Sequence, residues 1–359
     1  MSTVFTNGRS TVRNASSIPP RLDDVEELER LVSEPTEGVV EVLRQLDGDI
    51  ILLGVGGKIG PGLAQMAKRA TDMAGVRRRV IGVSRFTDRT AEQQLQKLGI
   101  ETVRCDLLSP KDVDTLPNAP NVLLLAGMKF GASGQEALTW ATNAWLPGVI
   151  CSKFHDSRFV ALSTGNIYGL TKVEDRGSQE LDTPAPVGEY AMSCLGRERI
   201  LEYFGEASRI ASTVVRLNYA TDLRYGVLVD LAQRVHRGLP IDLSMGFFST
   251  IWQGDANAMI LQSFRCVASP PFALNVTGTE MLSVRSVCYQ FGQIMGKTPE
   301  FIGVEARTAL LSNAEQAIEL FGQPRVNAER LVEWTADWVM RDQPTAGKPT
   351  CFESRDGRF

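Results

Sequence analysis

Apolar and polar positions along the chain change their rhythm twice. The first 20 residues are polar, rich in Ser, Thr and Asn, and close on Pro19-Pro20. Such a stretch buries too little apolar surface to offset the entropy of ordering, so residues 1–20 are expected to form a mobile arm. Val25, Leu28, Leu31 and Val32, then Val39, Val42, Leu43 and Leu46 after the break at Pro35, recur at helical spacing. They predict two short amphipathic helices in an N-terminal extension, 21–48. Faces of this kind pack on a core or on a sister subunit.

From Asp49 the pattern alternates. Apolar runs at 50–54, 80–83, 101–105, 121–126, 158–163 and 212–217 are separated by helical segments, which means βαβ units and a parallel sheet. The helix after the first run carries Leu63, Met66, Ala67, Ala70 and Met73 on one stripe and ends before Gly75. The expected fold class is α/β: a doubly wound parallel sheet over 49–222, with a smaller C-terminal α/β substrate lobe over 223–341 that partly returns to the sheet. In that lobe helices are expected at 225–237, 255–268, 283–295, 309–321 and 327–340, with short β pieces near 248–252 and 273–276. The tail, 342–359, holds Pro344, Gly347, Pro349 and Gly357 and reads as loosely held.

Composition narrows the partners. The 359 residues are 43% hydrophobic and 22% charged with a formal net charge of −4, and no basic run exceeds Arg77-Arg78-Arg79. That gives no electrostatic footprint for nucleic acid or an anionic membrane, and leaves a small-molecule substrate as the expected partner. No apolar stretch approaches the roughly 20 residues of a membrane helix, and Met1 to Ser10 lacks the apolar core of a signal peptide. Cys105, Cys151, Cys194, Cys266, Cys288 and Cys351 show no paired spacing, and His155 and His236 are the only histidines. This argues against a disulfide framework and a Cys/His zinc site, so no metal is expected and a reducing cytoplasm is the default compartment.

The chemistry is concentrated in one turn. Ile51-Leu52-Leu53-Gly54-Val55-Gly56-Gly57-Lys58-Ile59-Gly60 sets a buried strand before Gly54, Gly57 and Gly60, and Pro61 opens a helix. Gly54 permits the tight turn, Gly57 lets backbone amides approach a pyrophosphate, and Gly60 lets the helix pack closely with its N-terminus toward the anion. This is a Rossmann-type dinucleotide turn, with Gly56 and Ile59 among its contacts. The second strand ends Val80-Ile81-Gly82-Val83-Ser84-Arg85, without the carboxylate that usually holds the ribose 2′-hydroxyl of NAD. Ser84, Arg85 and Lys58 suit a 2′-phosphate, so NADP is favoured and NAD is the alternative. Lys58 and Arg85 also read as solvated surface charge. Asp106 is a candidate for the adenine amino group or for a structural turn, with Leu107 beside it and Ala126-Gly127 at the fourth strand end completing the cofactor set.

Further segments occur in order along the chain. They are Phe159-Val160-Ala161-Leu162-Ser163-Thr164-Gly165-Asn166-Ile167-Tyr168-Gly169, Glu189-Tyr190-Ala191-Met192-Ser193-Cys194, Val215-Arg216-Leu217-Asn218, Trp252-Gln253-Gly254-Asp255 and Leu274-Asn275-Val276-Thr277-Gly278. With the glycine turn they resemble the extended short-chain dehydrogenase/reductases, the NAD-dependent epimerase/dehydratase group, over residues 49–341. The resemblance implies that Thr164 hydrogen-bonds the reacting hydroxyl or carbonyl and that Tyr190 is the acid/base. It also implies a homodimer through the helix bearing Tyr190, a contact that the 22–46 helices could extend.

Two positions depart from the family. The tyrosine is ordinarily followed four residues on by a lysine that holds the ribose and lowers the phenol's pKa; here that position is Cys194. An unassisted tyrosine titrates near pH ~10, so about one in a thousand is phenolate at neutral pH, a cost of about 4 kcal/mol to base catalysis. Reduction suffers less, because the neutral phenol is already the required acid. Lys129, just past the fourth strand, is the best-placed candidate for a substitute cation, with an exposed loop lysine as the favoured reading. Cys194 has no nearby His partner and reads as packing rather than as a nucleophile. After Thr164, Gly165-Asn166 replaces the Asp-Glu pair of sugar 4,6-dehydratases, which disfavours elimination.

The leading expectation is a cytoplasmic NADP-dependent oxidoreductase acting on a small hydroxy or carbonyl compound such as a sugar, sugar acid or nucleotide sugar. Thr164, Asn166, Tyr190, Tyr219, Arg224 and Trp252 are its expected substrate contacts. A nucleotide-sugar epimerase with retained NAD is the nearest rival, and a non-catalytic dinucleotide-binding protein represents a different class.

Overall fold

The computed structural model describes residues 18–129 and 134–358. Seven strands form one parallel sheet: β1 (Ile50–Leu53), β2 (Val80–Ser84), β3 (Glu101–Arg104), β4 (Asn121–Leu124), β5 (Arg158–Thr164), β6 (Ser212–Leu217) and β7 (Phe272–Val276). Their order is β7-β6-β5-β4-β1-β2-β3, so the direction of winding reverses between β1 and β4. That reversal opens a crevice at the carboxyl ends of the central strands, where open α/β sheets bind ligands.

The unbroken apolar run of β1 follows from its place. Ile50 and Leu52 point into the core under one helical layer, Ile51 and Leu53 into the core under the other, and all four are buried. A central parallel strand has no solvated face and therefore no polar alternation. The first strand is one residue shorter than the apolar run, because Gly54 turns away at φ +96°.

The N-terminal helices, Val25–Val32 and Glu37–Gln45, are capped by the side chains of Asp24 and Thr36. Leu28, Leu31 and Val32 pack with Trp252 and Trp334 of the C-terminal lobe, whereas Val39, Val42 and Leu43 pack with Leu63 and Met66 of the sheet layer. The extension therefore bridges the two cores of its own chain. Each of these side chains contributes about 1.5–3 kcal/mol by leaving water, and their apolar faces are not left over for a sister subunit. The arm expected over 1–20 lies outside the described residues up to position 17. Its last part is held, since the carbonyls of Pro19 and Pro20 accept hydrogen bonds from Trp334 Nε1 and Arg330 Nη1, both at 3.1 Å.

In the C-terminal part, helices run Val227–Arg237, Gln253–Gln262, Val284–Met295, Glu315–Phe321 and Ala328–Met340. The helix expected over 309–321 begins six residues later. Thr308–Ala309 pairs antiparallel with Thr171–Lys172, and Asn313 Oδ1 accepts from Glu315 N at the true start. The helix expected over 255–268 gives way to a 3-10 turn at Ser263–Cys266. The β piece near 248–252 is two strands with different partners: Phe247–Phe248 joins Leu282–Ser283, and Ile251–Trp252 joins Ala220–Thr221.

The tail is not loosely held. Thr350 donates from its N and its Oγ1 to Asp230 Oδ2 at 2.8 and 2.6 Å, Ala346 N donates to Arg224 O at 2.8 Å, and Phe352 is buried against Phe248. Arg355 donates to the carbonyls of Ser244 and Thr308 at 2.9 and 2.8 Å. Glycines and prolines suit a strap that must cross a surface closely, and a Cβ at Gly357 would stand 2.1 Å from Val187 O at the foot of the Gly188–Ser208 helix.

Candidate active site

The site begins where β1 stops. Gly54 N and Val55 N both donate to Val83 O, and Leu125 N and Ala126 N both donate to Leu53 O, which draws the ends of β1, β2 and β4 together. A Cβ at Gly54 would lie 2.6 Å from Ala126 N, and one at Gly60 would lie 2.2 Å from Val55 O, so both contacts require glycine. The Gly60–Ala74 helix then starts with no side chain capping its first turn. An uncapped helix start on a glycine turn is an anion cradle. The turn therefore fits a dinucleotide diphosphate.

Farther along the sheet edge the cofactor candidates separate. Ser84 Oγ lies against Gly56, where a Cβ would come within 2.6 Å of it, and Arg85 is exposed beside it. Asp106 is exposed, and its Oδ1 accepts from Leu108 N at 3.1 Å, a turn contact within its own loop; Leu107 beside it is buried. Ala126 and Gly127 follow β4, with Gly127 in the cleft.

The cleft itself has a volume of about 320 Å³. It brings together Gly54, Gly57, Lys58, Ile59, Gly60, Gly127, Lys129, Thr164, Asn166, Tyr190, Cys194 and Tyr219. Thr164 ends β5; its Oγ1 donates to Asn166 Oδ1 at 3.0 Å and accepts from Asn166 N at 3.2 Å. Tyr190 lies in the first turn of the Gly188–Ser208 helix, and its phenol is hydrogen-bonded to the side chains of Thr164 and Cys194. Burial pushes the phenol far above its ordinary value, so Tyr190 is protonated throughout the physiological range. Cys194, also by burial, is pushed up to about 11 and packs with Ile167 and Tyr168. It is a neutral thiol, as its packing role requires. Lys129 Nζ stands 5.9 Å from the Tyr190 ring centroid, and burial lowers this lysine to about 8.

Two residues with a large part in this geometry, Asn143 and Arg197, carry no sequence signal. Asn143 lies in the run 136–153, whose middle, Ala141–Trp145, widens into a π-helix. It accepts from Met128 N at 2.8 Å and donates to Met128 O and Ser193 Oγ, both at 2.9 Å, while Ser193 Oγ donates to Tyr190 O at 2.9 Å. The loop carrying Lys129 is thus tied to the helix carrying Tyr190. Arg197 donates to Ala126 O at 2.7 Å, Asn143 O at 3.2 Å and Leu162 O, bolting the ends of β4 and β5 to the helix behind them. A widened helical turn is a recurrent device at functional sites.

Three expected site residues are placed elsewhere. Lys58 does not extend toward Ser84 and Arg85: its Nζ crosses the cleft to lie 3.5 Å over the Tyr225 ring and 3.4 Å from Ala220 O. The flat ring and the open carbonyl across the cleft give the ammonium a better seat than the exposed strand end. Arg224 is drawn out of the cleft by Asp222 and Glu29, at 3.0 and 2.9 Å, and lines a neighbouring groove under the N-terminal helix. Trp252 has no exposed surface and packs edge-on to Trp334 in the lobe core, because its two-residue strand faces inward. The tail adds a residue that was not expected, Thr350, to the cleft wall. Among the described residues no group of His, Cys, Asp and Glu is arranged to hold a metal, and no helix is long and apolar enough to cross a membrane.

Solved structures with this architecture are numerous. UDP-glucuronic acid 4-epimerase from Bacillus cereus, crystallised as a variant with a fluorinated UDP-sugar acid and NAD, superposes with a TM-score of 0.67 at 16% identity, over 82% of this chain and 99% of that one. UDP-glucose 4-epimerase from Thermotoga maritima, with UDP-glucose, gives 0.66 at 18% over 82% and 99%. dTDP-glucose 4,6-dehydratase from Bacillus anthracis, with NAD, gives 0.66 at 16% over 82% and 97%. No curated protein sequence matches the chain. The profile of the NAD dependent epimerase/dehydratase family matches residues 50–242, more than half of the chain. The crevice at the β1–β4 reversal, the glycine turn and the profile agree: the chain belongs to the NAD dependent epimerase/dehydratase family.

Proposed function

We propose that this protein is an NADP-dependent oxidoreductase that reduces a carbonyl on a small sugar-like substrate. The observation that carries this reading is the meeting, in one cleft, of the glycine turn and the Tyr190–Thr164 pair. When bound, the dinucleotide supplies hydride at C4 of its nicotinamide. The turn from Gly54 to Gly60 holds the diphosphate, Asp106 and Leu107 flank the adenine, and Ala126 and Gly127 flank the nicotinamide half. Ser84 and Arg85, at a strand end without a carboxylate, favour the 2′-phosphate of NADP over NAD; Lys58, turned away, does not add to that preference.

Tyr190 gives its phenolic proton to the carbonyl oxygen, and the Thr164 hydroxyl, turned from Asn166 Oδ1, donates a hydrogen bond to the same oxygen. The Lys129 ammonium stabilises the phenolate left on Tyr190 Oη and so takes the part that position 194 does not fill. A phenol that burial keeps protonated is the acid reduction needs and a poor base for oxidation. Asn166 and Tyr219 contact the substrate, and the lobe over 223–341 supplies its outer wall.

An epimerase with retained NAD is the second reading, favoured by the likeness to the two UDP-sugar epimerases. Fluorescence titration of the purified chain with NADPH and NADH, with the absorbance of any co-purifying nucleotide, separates the readings. Tight NADPH binding with weak NADH is the expected result. Retained NAD would favour the epimerase, and no binding of either would sink both enzymes and leave a non-catalytic member of the family.

The reading includes a homodimer in a reducing cytoplasm, where the six free thiols persist. Met192 and Tyr203 on the Gly188–Ser208 helix and Trp145 on its neighbour are 45%, 62% and 49% exposed, an apolar surface apart from the N-terminal extension. Sedimentation velocity is expected to show a dimer for the native chain and a monomer for Met192→Glu/Tyr203→Glu; a native monomer refutes it.

A further inference from the structure

One side chain of the glycine turn is engaged by the other half of the protein. Lys58 stands between Gly57 and Ile59, and its ammonium lies 3.5 Å over the Tyr225 ring and 3.4 Å from Ala220 O. Both partners belong to the 220–227 segment that leads into the C-terminal lobe. Within it Ala220–Thr221 pairs with Ile251–Trp252, Asp222 and Tyr225 exchange backbone hydrogen bonds at 3.1 and 3.3 Å, and Val227 is buried in the lobe core at the start of its helix. The lysine therefore bridges the anion cradle and the lobe, across the cleft that both line.

The seat is a modest one for a buried cation. An aromatic face and one carbonyl at the far end of hydrogen-bond distance stand in for the water that an ammonium loses on burial. Burial lowers the lysine to about 8; Asp222 and Asp230 raise it, and Lys129 and Arg224 lower it further. An anion on the glycine turn offers the same ammonium a charge-assisted partner in place of a neutral ring.

We propose that Lys58 is a diphosphate ligand that the lobe holds while the glycine turn is empty. On binding, its ammonium leaves Tyr225 and Ala220 O for the diphosphate, and the 220–227 segment is unfastened from the turn. This rests on the dinucleotide occupying the turn from Gly54 to Gly60. The contact with Tyr225 is made only in the empty protein, so it opposes binding, and removing the ring favours binding. The diphosphate is common to NADPH and NADH, so Lys58 strengthens both equally and takes no part in choosing between them.

The experiment is a double-mutant cycle on the full chain, read by fluorescence titration with NADPH and NADH. Lys58→Met is expected to weaken both nucleotides by the same factor, about tenfold or more. Tyr225→Leu is expected to tighten both about threefold or more, because no ring has to be given up. Tyr225→Phe keeps the ring and is expected to bind like the native chain, and Tyr225→Met replaces Tyr225→Leu if the leucine variant does not fold. In the Lys58→Met background, Tyr225→Leu is expected to change either affinity by less than about twofold. Calorimetry with ADP and with 2′-AMP locates the contact: Lys58→Met weakens ADP and leaves 2′-AMP unchanged. A Tyr225→Leu chain that binds no tighter than the native one, a Lys58→Met chain that binds as well as it, or a loss confined to NADPH and 2′-AMP overturns the proposal, the last by returning Lys58 to the 2′-phosphate. A native chain that binds neither NADPH nor NADH refutes the dinucleotide reading itself, and the proposal with it.

Discussion

Tyr190→Phe is expected to lower turnover by about 10²–10⁴-fold while NADPH binding stays within a few-fold, because it removes one proton and no packing volume. Burial holds the phenol protonated, and its hydrogen bonds to Thr164 and Cys194 fix where that proton points. The companion test concerns the cation. Lys129→Met is expected to cost turnover severalfold or more, since the phenolate left on Tyr190 then has no ammonium beside it. Cys194→Lys alone is not expected to raise turnover: position 194 is 3% exposed, and a second ammonium there meets Lys129 and Arg197. The double variant Lys129→Met/Cys194→Lys restores activity toward the native level. A Cys194→Lys variant that greatly raises turnover would show that Lys129 does not serve Tyr190. With Lys129 near 8, the reductive rate falls as pH rises through 8, and in Lys129→Met that limb disappears.

The second large effect is on stability. Glu198 and Arg216 are both buried and meet at 2.8 Å, beside Ser163, the residue before Thr164. Ser163 Oγ donates to Glu198 Oε1 at 2.5 Å, and Arg216 Nη1 donates to Tyr168 Oη at 2.6 Å and Glu180 O at 2.8 Å. Tyr168 in turn donates to Asn275 Oδ1 at 2.8 Å on β7. One network therefore joins β5, β6, β7 and the Gly188–Ser208 helix. Glu198→Ala leaves the Arg216 guanidinium buried without its counter-charge, and is expected to cost about 3–5 kcal/mol in urea unfolding. Replacing both partners, Glu198→Leu with Arg216→Met, is expected to cost much less, because no charge remains to be solvated. Equal losses in the two variants would mean that the pair acts through shape alone.

The contrast between Lys58 and the glycines around it shows what was legible in the residues. Gly54 and Gly60 answer to contacts within their own strand–turn–helix unit and the adjoining strand end, so spacing along the chain is enough to identify them. The direction of a lysine side chain in the same turn depends on a tyrosine more than 160 positions away, and no local pattern carries that. Trp252 was misplaced for a related reason. A two-residue strand has no periodicity, so only its partner, Ala220–Thr221, decides which way its side chains point.

The amino-acid sequence by itself determined the parallel sheet and the glycine turn between β1 and the Gly60–Ala74 helix, signals carried within one or two successive elements. The tertiary structure decided the rest. It set Thr350 of the tail in the cleft wall, turned 18–48 into a bridge between two cores, and used Asn143 and Arg197 to set Lys129 beside Tyr190. Those arrangements pair residues tens to hundreds of positions apart. Their energy comes from burial and from hydrogen bonds that exist only once the chain has folded back on itself.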